Sequence, residues 1–389
     1  MEQVSVTLQG AQRLRALHPW CYRQDVASAP DRLPPGAVVR VVDPQGNPVG
    51  QAFWARKSPL ALRLLTRDAS PVDDAFFRER LERAVARRRA VAGRGREALR
   101  LVHGEADLLP GFFADRYGAG LTVQSLSEGA DVRKEQWARW LLELTGCTHA
   151  ALRDDASGRD FEGLPREARP LHGDPPFRFA FQEGANRFEV DLLQDMKTGS
   201  FLDQADNHLR AGELGAGEAL DCFSYHGGFA LALAAGRCTS VLAVEQDPGA
   251  AGRARANAAA NGRSTVEVRE ANAFDVLHAF DREGRRFDTV VVDPPGLAKR
   301  REGVKTALRA YRELNLRALR CLRPDGLLVT CSCSHKVSRE AFEEVVLAAA
   351  RDARRAVQVL ERRGAGIDHP ALATLPETEY LKALFIRAL

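Results

Sequence analysis

Two cysteines and an acid follow apolar stretches near the end of the chain. Cys331 and Cys333 come shortly after the apolar residues 327–329, and Asp293 with two prolines follows the apolar residues 290–292. A thiolate can add to carbon 6 of a pyrimidine and make carbon 5 nucleophilic, after which a base removes the carbon 5 proton. A cationic neighbour such as His335 or Lys336 would lower the pKa of the thiol. The alternative is that small buried cysteines only complete a strand, and Asp293 nearby favours the chemical interpretation.

A second group of residues predicts a nucleotide-like cofactor. Asp221 ends a short apolar run, and Gly227 with its neighbour Gly228 then opens a helical pattern. About 24 residues further on, Glu245 ends another strand and is placed to accept hydrogen bonds from ribose hydroxyls. The turn is not a GxGxxG motif, and an acid stands where a pyrophosphate would need neutral amides. This pattern favours a cationic adenosyl ligand, S-adenosylmethionine. Asn272 ends a further strand, where it could contact adenine or cap a helix.

The elements that must position these residues alternate between strand and helix from residue 220 onward. Continuous apolar strands such as residues 290–292 are typical of a parallel sheet buried on both faces. We therefore predict a doubly wound α/β domain whose ligand lies at the carboxyl ends of the strands. A β-hairpin around residues 183–186 and a polar loop leading into a helix come before it.

The first half of the chain predicts two smaller domains. Residues 1–68 have an all-β pattern, and residues 72–165 an α+β pattern with an arginine-rich helix. Arg13, Arg15 and Arg23 are interleaved with aromatic residues, as in surfaces that grip and stack on RNA. The aromatics could equally form the core of a small barrel. A proline-rich seam, residues 161–177, precedes the last domain, residues 175–389.

Composition limits the classes of function. The 389 residues carry 56 basic and 52 acidic side chains, a net charge of +4 that mildly favours a polyanionic partner. The seven cysteines include no CxxC pair, which argues against a zinc site. We therefore predict no bound metal. The sequence shows neither an apolar signal core nor a run of about 18 apolar residues. A protein of the reducing cytosol, without a membrane partner, is expected.

Several longer motifs match a known family. They are HPWCYRQDV, EADLLPGFFADRYG, KTGSFLDQADN, DCFSYHGGFA, VVVDPP, SCSH and DHPALATLPETEYLK. With them the chain resembles the RlmI type of bacterial methyltransferases that act on carbon 5 of cytosine in large-subunit (23S) ribosomal RNA. The resemblance runs nearly end to end. It implies a PUA domain (a small β-barrel), an α+β middle domain and a Rossmann-like class I methyltransferase domain, with 23S rRNA as partner and a possible homodimer.

The resemblance also implies roles for individual residues. In the cofactor site it places a loop before the first motif, the turn, the ribose acid and the motif acid: Lys197, Thr198, Gly199, Asp221, Phe223, Ser224, Gly227, Glu245 and Asp293. The Ser-Cys-Ser motif of the family falls on residues 332–334 and makes Cys333 the predicted nucleophile. The Thr-Cys-Ser pattern of the wider cytosine family falls on residues 330–332 and would favour Cys331.

Some positions depart from the family pattern. Ser200, Ala205 and His208 stand where the family usually has an aromatic residue and two arginines. The pair Gly296-Leu297 stands where the family has Ala or Lys followed by Phe. His226 stands where Thr or Ala is usual. The Asp-Pro-Pro segment also resembles that of enzymes that methylate exocyclic amines, although the aromatic residue that should follow is missing. Methylation of a guanine or adenine amine is therefore one alternative function. A non-enzymatic RNA-binding assembly factor is the other.

Overall fold

The computed structural model describes residues 1–92, 95–298 and 301–389. The chain divides into two compact units, and each unit is built from three segments. The first unit comprises residues 1–181, 189–201 and 368–378. The second comprises residues 182–188, 202–367 and 379–389.

The first unit begins with a six-stranded sheet in the described part of the chain. Its strands are β1 (Gln3–Val6), β2 (Trp20–Tyr22), β3 (Val26–Ser28), β4 (Val38–Val42), β5 (Pro48–Trp54) and β6 (Leu60–Thr66). They lie in the order β2-β6-β5-β4-β1-β3. Val39, Val41 and Leu62 are fully buried in its core. The apolar pattern in the sequence predicts β1, β4, β5 and β6, whereas it does not predict β2 and β3, each of three residues.

The expectation that residues 1–68 are all-β is wrong at one place. Residues Leu8–Arg15 form helix α1, which Thr7 caps by accepting a hydrogen bond from the amide of Gly10 at 3.1 Å. Ala11 and Leu14 are buried at a spacing of three, as on one side of a helix. The helix has only about two turns and two buried apolar side chains, Ala11 and Leu14. Its periodic pattern in the sequence is therefore too short to be distinguished from that of a strand.

A second sheet in the same unit has helices against it. Its strands are β7 (Ala98–His103), β8 (Phe112–Tyr117), β9 (Gly120–Ser125), β10 (His149–Asp154) and β11 (Glu167–His172). Their order is β11-β10-β9-β8-β7, and the helices are α2 (Asp74–Ala92), α3 (Glu128–Asp131) and α4 (Lys134–Thr145). The ring of Trp137 lies 4.9 Å from that of Phe112 and 5.1 Å from that of Phe77, centre to centre, in the core.

The predicted seam contains regular structure. Strand β11 lies within residues 161–177 and pairs antiparallel with β10. Its residues alternate between exposed and half-buried, as expected of a strand at a sheet edge, and its prolines and charges conceal this pattern in the sequence.

A hairpin of β12 (Arg178–Glu183) and β13 (Asn186–Asp191) confirms the predicted turn. The second unit then holds strands β14 (Ala216–Cys222), β15 (Arg237–Glu245), β16 (Val266–Glu270), β17 (Phe287–Val292), β18 (Leu322–Ser332), β19 (Val357–Arg363) and β20 (Lys382–Ala388). Their order is β16-β15-β14-β17-β18-β20-β19. The strands β14 to β18 are parallel, and β20 runs antiparallel to both of its neighbours. This mostly parallel α/β sheet confirms the predicted fold class.

Helices connect these strands. They are α5 (Ala205–Leu214), α6 (Gly228–Ala235), α7 (Pro248–Ala260), α8 (Ala273–Glu283), α9 (Val304–Arg320) and α10 (Arg339–Asp352). Side chains of α8, α9 and α10, such as Leu277, Leu314 and Phe342, are buried in one core with Leu220 and Val290 of the sheet. In the described ranges, no helix has both the length and the apolar character that crossing a membrane requires.

Candidate active site

The register of the central strands brings the predicted site residues of the second unit to one edge. Cys222 lies opposite Val244 and Val292, and Val292 lies opposite Thr330. The strands β14, β15, β17 and β18 therefore reach this edge at the same level. Asp221, Glu245, Asp293 and Cys333 stand within a few residues of that level, each on a different strand or just beyond it.

Asp221 is a buried acid whose two carboxyl oxygens lack hydrogen-bond partners among the described residues. Its side chain is 0% exposed, and neither carboxylate oxygen accepts a hydrogen bond of normal geometry from a described residue. Burial raises the pKa of this carboxyl well above its ordinary value, and the charges of Asp293 and Glu245 add to the effect. The buried Ser224 hydroxyl is likewise without a hydrogen bond among the described residues. Orphaned acidic and polar atoms at a strand end fit a cationic ligand such as S-adenosylmethionine.

The turn after β14 is held in a tight conformation. Phe223, Tyr225 and Gly227 have φ of 65°, 50° and 87°, a region that favours glycine. At Gly228 a Cβ atom would lie 2.3 Å from Cε1 of His208. At Gly227 and Gly228 the backbone comes so close to neighbouring side chains that only glycine, which lacks a Cβ, fits without a clash.

Glu245 is fixed by backbone amides. Its Oε1 accepts hydrogen bonds from the amides of Gln246 and Asp247, both at 2.8 Å, and its Oε2 accepts one from Tyr225 at 2.8 Å. These bonds tie the end of β15 to the glycine turn and hold the carboxylate in place. The remaining lone pairs fit the predicted role of accepting hydrogen bonds from a ribose.

Asn272 is the N-cap residue of α8. Its Oδ1 accepts a hydrogen bond from the amide of Phe274 at 2.9 Å, and its Nδ2 donates to Oε1 of Gln246 at 2.9 Å. The helix-cap interpretation therefore has contacts in the structure, and contact of Asn272 with adenine stays a prediction. Through Gln246, the cap is also linked to the segment that follows Glu245.

Cys333 differs from the other cysteines in its exposure. It is half-buried, whereas the other six cysteines of the chain are buried. Its Sγ lies 3.9 Å from the carbonyl oxygen of Pro294, and a Cβ placed on Gly296 would lie 3.8 Å from the sulfur. Burial raises the pKa of Cys331 well above its ordinary value, with a further contribution from Asp293. The exposure of Cys333 and the raised pKa of the Cys331 thiol both favour Cys333 over Cys331 as a nucleophile.

Two groups around Cys333 were not among the predicted site residues. The hydroxyl of Tyr311 forms hydrogen bonds with the hydroxyls of Ser332 at 2.9 Å and Ser334 at 3.0 Å, and so fixes both neighbours of the cysteine. Lys382 donates to the carbonyl oxygen of Ser334 at 2.8 Å. The motif that ends in Lys382 matched the family, which was a signal for this residue, whereas Tyr311 lies on a helix without any motif.

The loop of Lys197, Thr198 and Gly199 belongs to the first unit. The hydroxyl of Thr198 donates to Asp115, and the amide of the adjacent Ser200 donates to the hydroxyl of Tyr117 at 2.9 Å. Gly199 has a φ of 136°, and a Cβ there would lie 2.7 Å from Cγ2 of Val190. Lys197 has its Nζ 4.0 Å from the centre of the Phe201 ring. The part of this loop in cofactor binding stays a prediction.

The arginines predicted to bind RNA have partners inside the first unit. Arg13 forms an ion pair with Asp25, and Arg15 pairs with Asp43 at 2.8 Å. Arg23 donates to the carbonyl oxygen of Ser58 at 3.0 Å and stacks over the Trp54 ring. Arg13 and Arg15 keep 25% and 44% of their side chains exposed, so contact with RNA remains a prediction for these residues.

His226, which stands where the family pattern has Thr or Ala, is buried. His226 stacks on Tyr225 with ring centres 3.6 Å apart. Burial, followed by the nearby charge of Arg253, lowers the pKa of His226 to about 3, so the ring is neutral at physiological pH.

Within the described ranges, no cluster of three or more His, Cys, Asp or Glu side chains is arranged to hold a metal ion.

Comparison with known proteins decides the family. A family model described as S-adenosylmethionine-dependent methyltransferase matches residues 141–387, more than half of the chain. This chain belongs to that family. A second family model, a PUA-like domain, matches residues 4–67. S-Adenosylmethionine is therefore the cofactor. The surroundings of Asp221 and Glu245 fit it, and the roles of these two residues in binding it stay predictions.

Relatives of this methyltransferase resemble it over nearly its whole length. The ribosomal RNA large subunit methyltransferase I of Salmonella arizonae is 34% identical over 96% of this chain and 94% of its own. The protein of the same name from Shewanella amazonensis is 36% identical over 95% of each. The chain belongs with these relatives to one family, as the sequence motifs predicted.

Solved structures share the fold. A putative methyltransferase complexed with SAH, SMU.776, matches over 100% of both chains with a TM-score of 0.85 and 18% identity. A putative SAM-dependent methyltransferase from Streptococcus mutans matches over the same share with a TM-score of 0.83 and 18% identity. At this identity the likeness shows the fold, and it agrees with the class I methyltransferase architecture.

Proposed function

We propose that this methyltransferase modifies carbon 5 of a cytosine in large-subunit (23S) ribosomal RNA, through a covalent adduct with Cys333. The observation that carries the proposal is the half-exposed thiol of Cys333 beside Pro294 at the carboxyl edge of the sheet. The names of the relatives support rRNA as the substrate. The raised pKa of the buried Cys331 thiol supports Cys333 as the nucleophile.

The chain supplies the groups that each step needs. The Cys333 thiolate forms a bond to carbon 6, and the ring electrons move onto the pyrimidine, where Asp293 holds the edge of the base. The cofactor supplies the methyl group that carbon 5 takes up. A base then removes the proton of carbon 5, and the electrons of that C–H bond expel the thiolate from carbon 6. The target must be unstacked or lie in a loop, because its faces are shielded within a helix.

The other parts of the chain are proposed to position the RNA. We retain three domains: residues 1–68 and 72–165 for RNA positioning and residues 175–389 for methyl transfer. The two separate sheets of the first unit and the PUA-like match support this division. Arg13, Arg15 and Arg23 would contact the RNA backbone with the exposed parts of their side chains. A cytoplasmic location suits this substrate, and a homodimer stays a prediction.

The deciding experiment is methyl transfer from labelled S-adenosylmethionine to unmodified large-subunit rRNA, followed by digestion to nucleosides. The wild type is compared with Cys333→Ala and with Cys331→Ala. We expect the label in 5-methylcytosine, abolished by Cys333→Ala and retained by Cys331→Ala. Label in a methylated amine that survives both substitutions would show an exocyclic-amine methyltransferase instead. RNA binding without any transfer would identify a binding factor.

A further inference from the structure

Lys382 is a buried lysine next to the proposed nucleophile. It begins β20 and pairs across the strands with Ser332, the residue before Cys333. Only 3% of the residue is exposed. Its Nζ donates to the carbonyl oxygens of Ser334 and Tyr380, both at 2.8 Å. The ammonium group is thus held by the backbone immediately after the cysteine.

Within the described ranges, this ammonium has no acidic partner. Among the residues that the structure describes, no carboxylate forms an ion pair with Lys382, and the nearby Glu379 is engaged by Arg339 at 2.9 Å. A buried charge is costly unless an opposite charge or several hydrogen bonds compensate it. Carbonyl oxygens supply only part of that compensation, and the Cys333 thiolate is the anion that could supply the rest.

The electrostatic surroundings agree with this pairing. Burial lowers the pKa of Lys382 to about 8, and the negative charge of Cys333 opposes that shift. Arg339 lowers the pKa further, while Glu379 raises it. The negative charge of Cys333 also raises the pKa of Tyr311, and Asp293 raises the pKa of Cys331, two residues before Cys333. Lys382 is therefore a buried cation whose charge favours a thiolate at Cys333.

We propose that Lys382 is a positioning residue whose buried ammonium stabilises the thiolate form of Cys333. The proposal rests on the proposed function only in taking Cys333 as the nucleophile. Cys333 gives its proton to solvent and remains as a thiolate beside the ammonium. When the sulfur bonds to carbon 6, the negative charge moves to the pyrimidine, and when that bond breaks, the thiolate returns to the same ammonium.

A purely structural role for Lys382 is the competing explanation. Its two hydrogen bonds tie the segment after Cys333 to β20, and any donor of suitable length would serve that purpose. Lys382→Gln keeps an N–H donor and loses the charge, whereas Lys382→Arg keeps the charge. The exposed Lys336, three residues after Cys333, is a second competitor for the electrostatic role, and the exposed Lys305 of α9 offers a matched control.

The first test measures the rate at which iodoacetamide alkylates Cys333 in the full-length protein between pH 6 and 10, without RNA or cofactor. Peptide mass spectrometry identifies the modified cysteine. We expect Lys382→Gln to raise the apparent pKa of the thiol by about one unit and to slow alkylation near pH 7 by about tenfold. Lys382→Arg should restore most of the rate, and Lys305→Gln should match the wild type. An unchanged profile in folded Lys382→Gln, or slowing by Lys336→Gln alone, would overturn the proposal.

A reciprocal measurement covers the case in which Lys382→Gln does not fold. The pKa of Lys382 is followed by NMR of its side chain in the wild type and in Cys333→Ser, a change of one atom at a half-exposed position. Because coupling between two titrating groups is mutual, loss of the thiolate should lower the pKa of Lys382. Equal values in the two proteins would refute the pairing. Neither titration depends on which nucleoside is methylated. A failure of the proposed function would therefore be detected by the rRNA assay and not by these titrations.

Discussion

Asp221 shows what a single residue contributes at the cofactor edge. A carboxyl whose pKa is higher in the folded chain than in the unfolded one stabilises the fold at low pH. That contribution is complete below the unfolded pKa of about 4 and is lost as the pH rises towards the folded value. Asp221, buried beside Asp293 and Glu245, is such a group. The fold therefore carries an acid whose burial lowers its stability as the pH rises, and we propose that this acid serves cofactor binding.

Asp221→Asn should separate these two effects. Without the charge, the free protein should melt at a higher temperature than the wild type at pH 8, and the difference should shrink as the pH is lowered towards 5. Affinity for S-adenosylmethionine should fall about tenfold or more, because a buried carboxylate no longer faces the cation. Calorimetry measures both quantities. Glu344→Gln, at an exposed position of α10, is the control, and a destabilised Asp221→Asn at pH 8 would contradict the argument.

At the scale of elements, the turn between β14 and α6 is constrained by His208 of α5. The Nδ1 atom of His208 lies 2.8 Å from Oε1 of Glu183, and its ring packs edge-on against Phe229 at 4.5 Å. The ring therefore cannot move aside easily, and it lies where a side chain on Gly228 would be. The substitution of an arginine by histidine at position 208 thus has a packing consequence for the cofactor turn.

Gly228→Ala should lower the free energy of unfolding by about 1–3 kcal/mol, because the new Cβ collides with a tethered ring. In Gly228→Ala with His208→Ala the two costs should not add, since the second change removes the collision. Urea unfolding measures the coupling. Gly252→Ala serves as control, because nothing lies within 4 Å of a Cβ there, and it should be neutral or stabilise α7 by up to about 1 kcal/mol. Additive costs would disprove the clash.

The sequence predicts elements well where a pattern is long and local. The apolar run of β17, the glycines at the start of α6 and the acids at the ends of β14 and β15 predicted the sheet and the level at which its strands end. It failed for α1, which has only two turns, and for β11, which is disguised by proline and charge. It could not show that Asn272 caps a helix or that Lys382 reaches Ser334, because such contacts depend on distances between segments far apart in the chain.

At the scale of the whole molecule, the first unit depends on a late segment. Asp368 is 0% exposed and accepts hydrogen bonds from Nη2 of Arg96 at 2.9 Å and from the amide of Arg100 at 2.9 Å, while its carbonyl accepts one from Arg88. Burial alone would raise the pKa of Asp368, but His369, Arg96 and the Arg100 amide lower it strongly. Its stabilising effect is therefore complete above pH 4 or so and is lost as the pH falls below that value.

Asp368→Ala should destabilise the protein by about 3–5 kcal/mol near pH 7, because it leaves the buried guanidinium of Arg96 without its carboxylate. Guanidinium chloride unfolding, followed by the fluorescence of Trp137 and the other tryptophans, measures the loss. Glu377→Ala, at an exposed position of the same segment, should change stability by less than about 0.5 kcal/mol. A cost as small for Asp368→Ala as for the control would show that the buried pair contributes little.

The interleaving of the two units has a consequence for the order in which the protein is made. A chain leaves the ribosome from its amino end, and domains generally fold as they emerge. Here the first unit cannot complete its packing until the chain has been made as far as residue 378. Arg88 and Arg96 precede Asp368 by 280 and 272 residues, so their bonds to it form only after that length of chain has been made. Any chain cut short before Asp368 would consequently lack part of its amino-terminal unit as well.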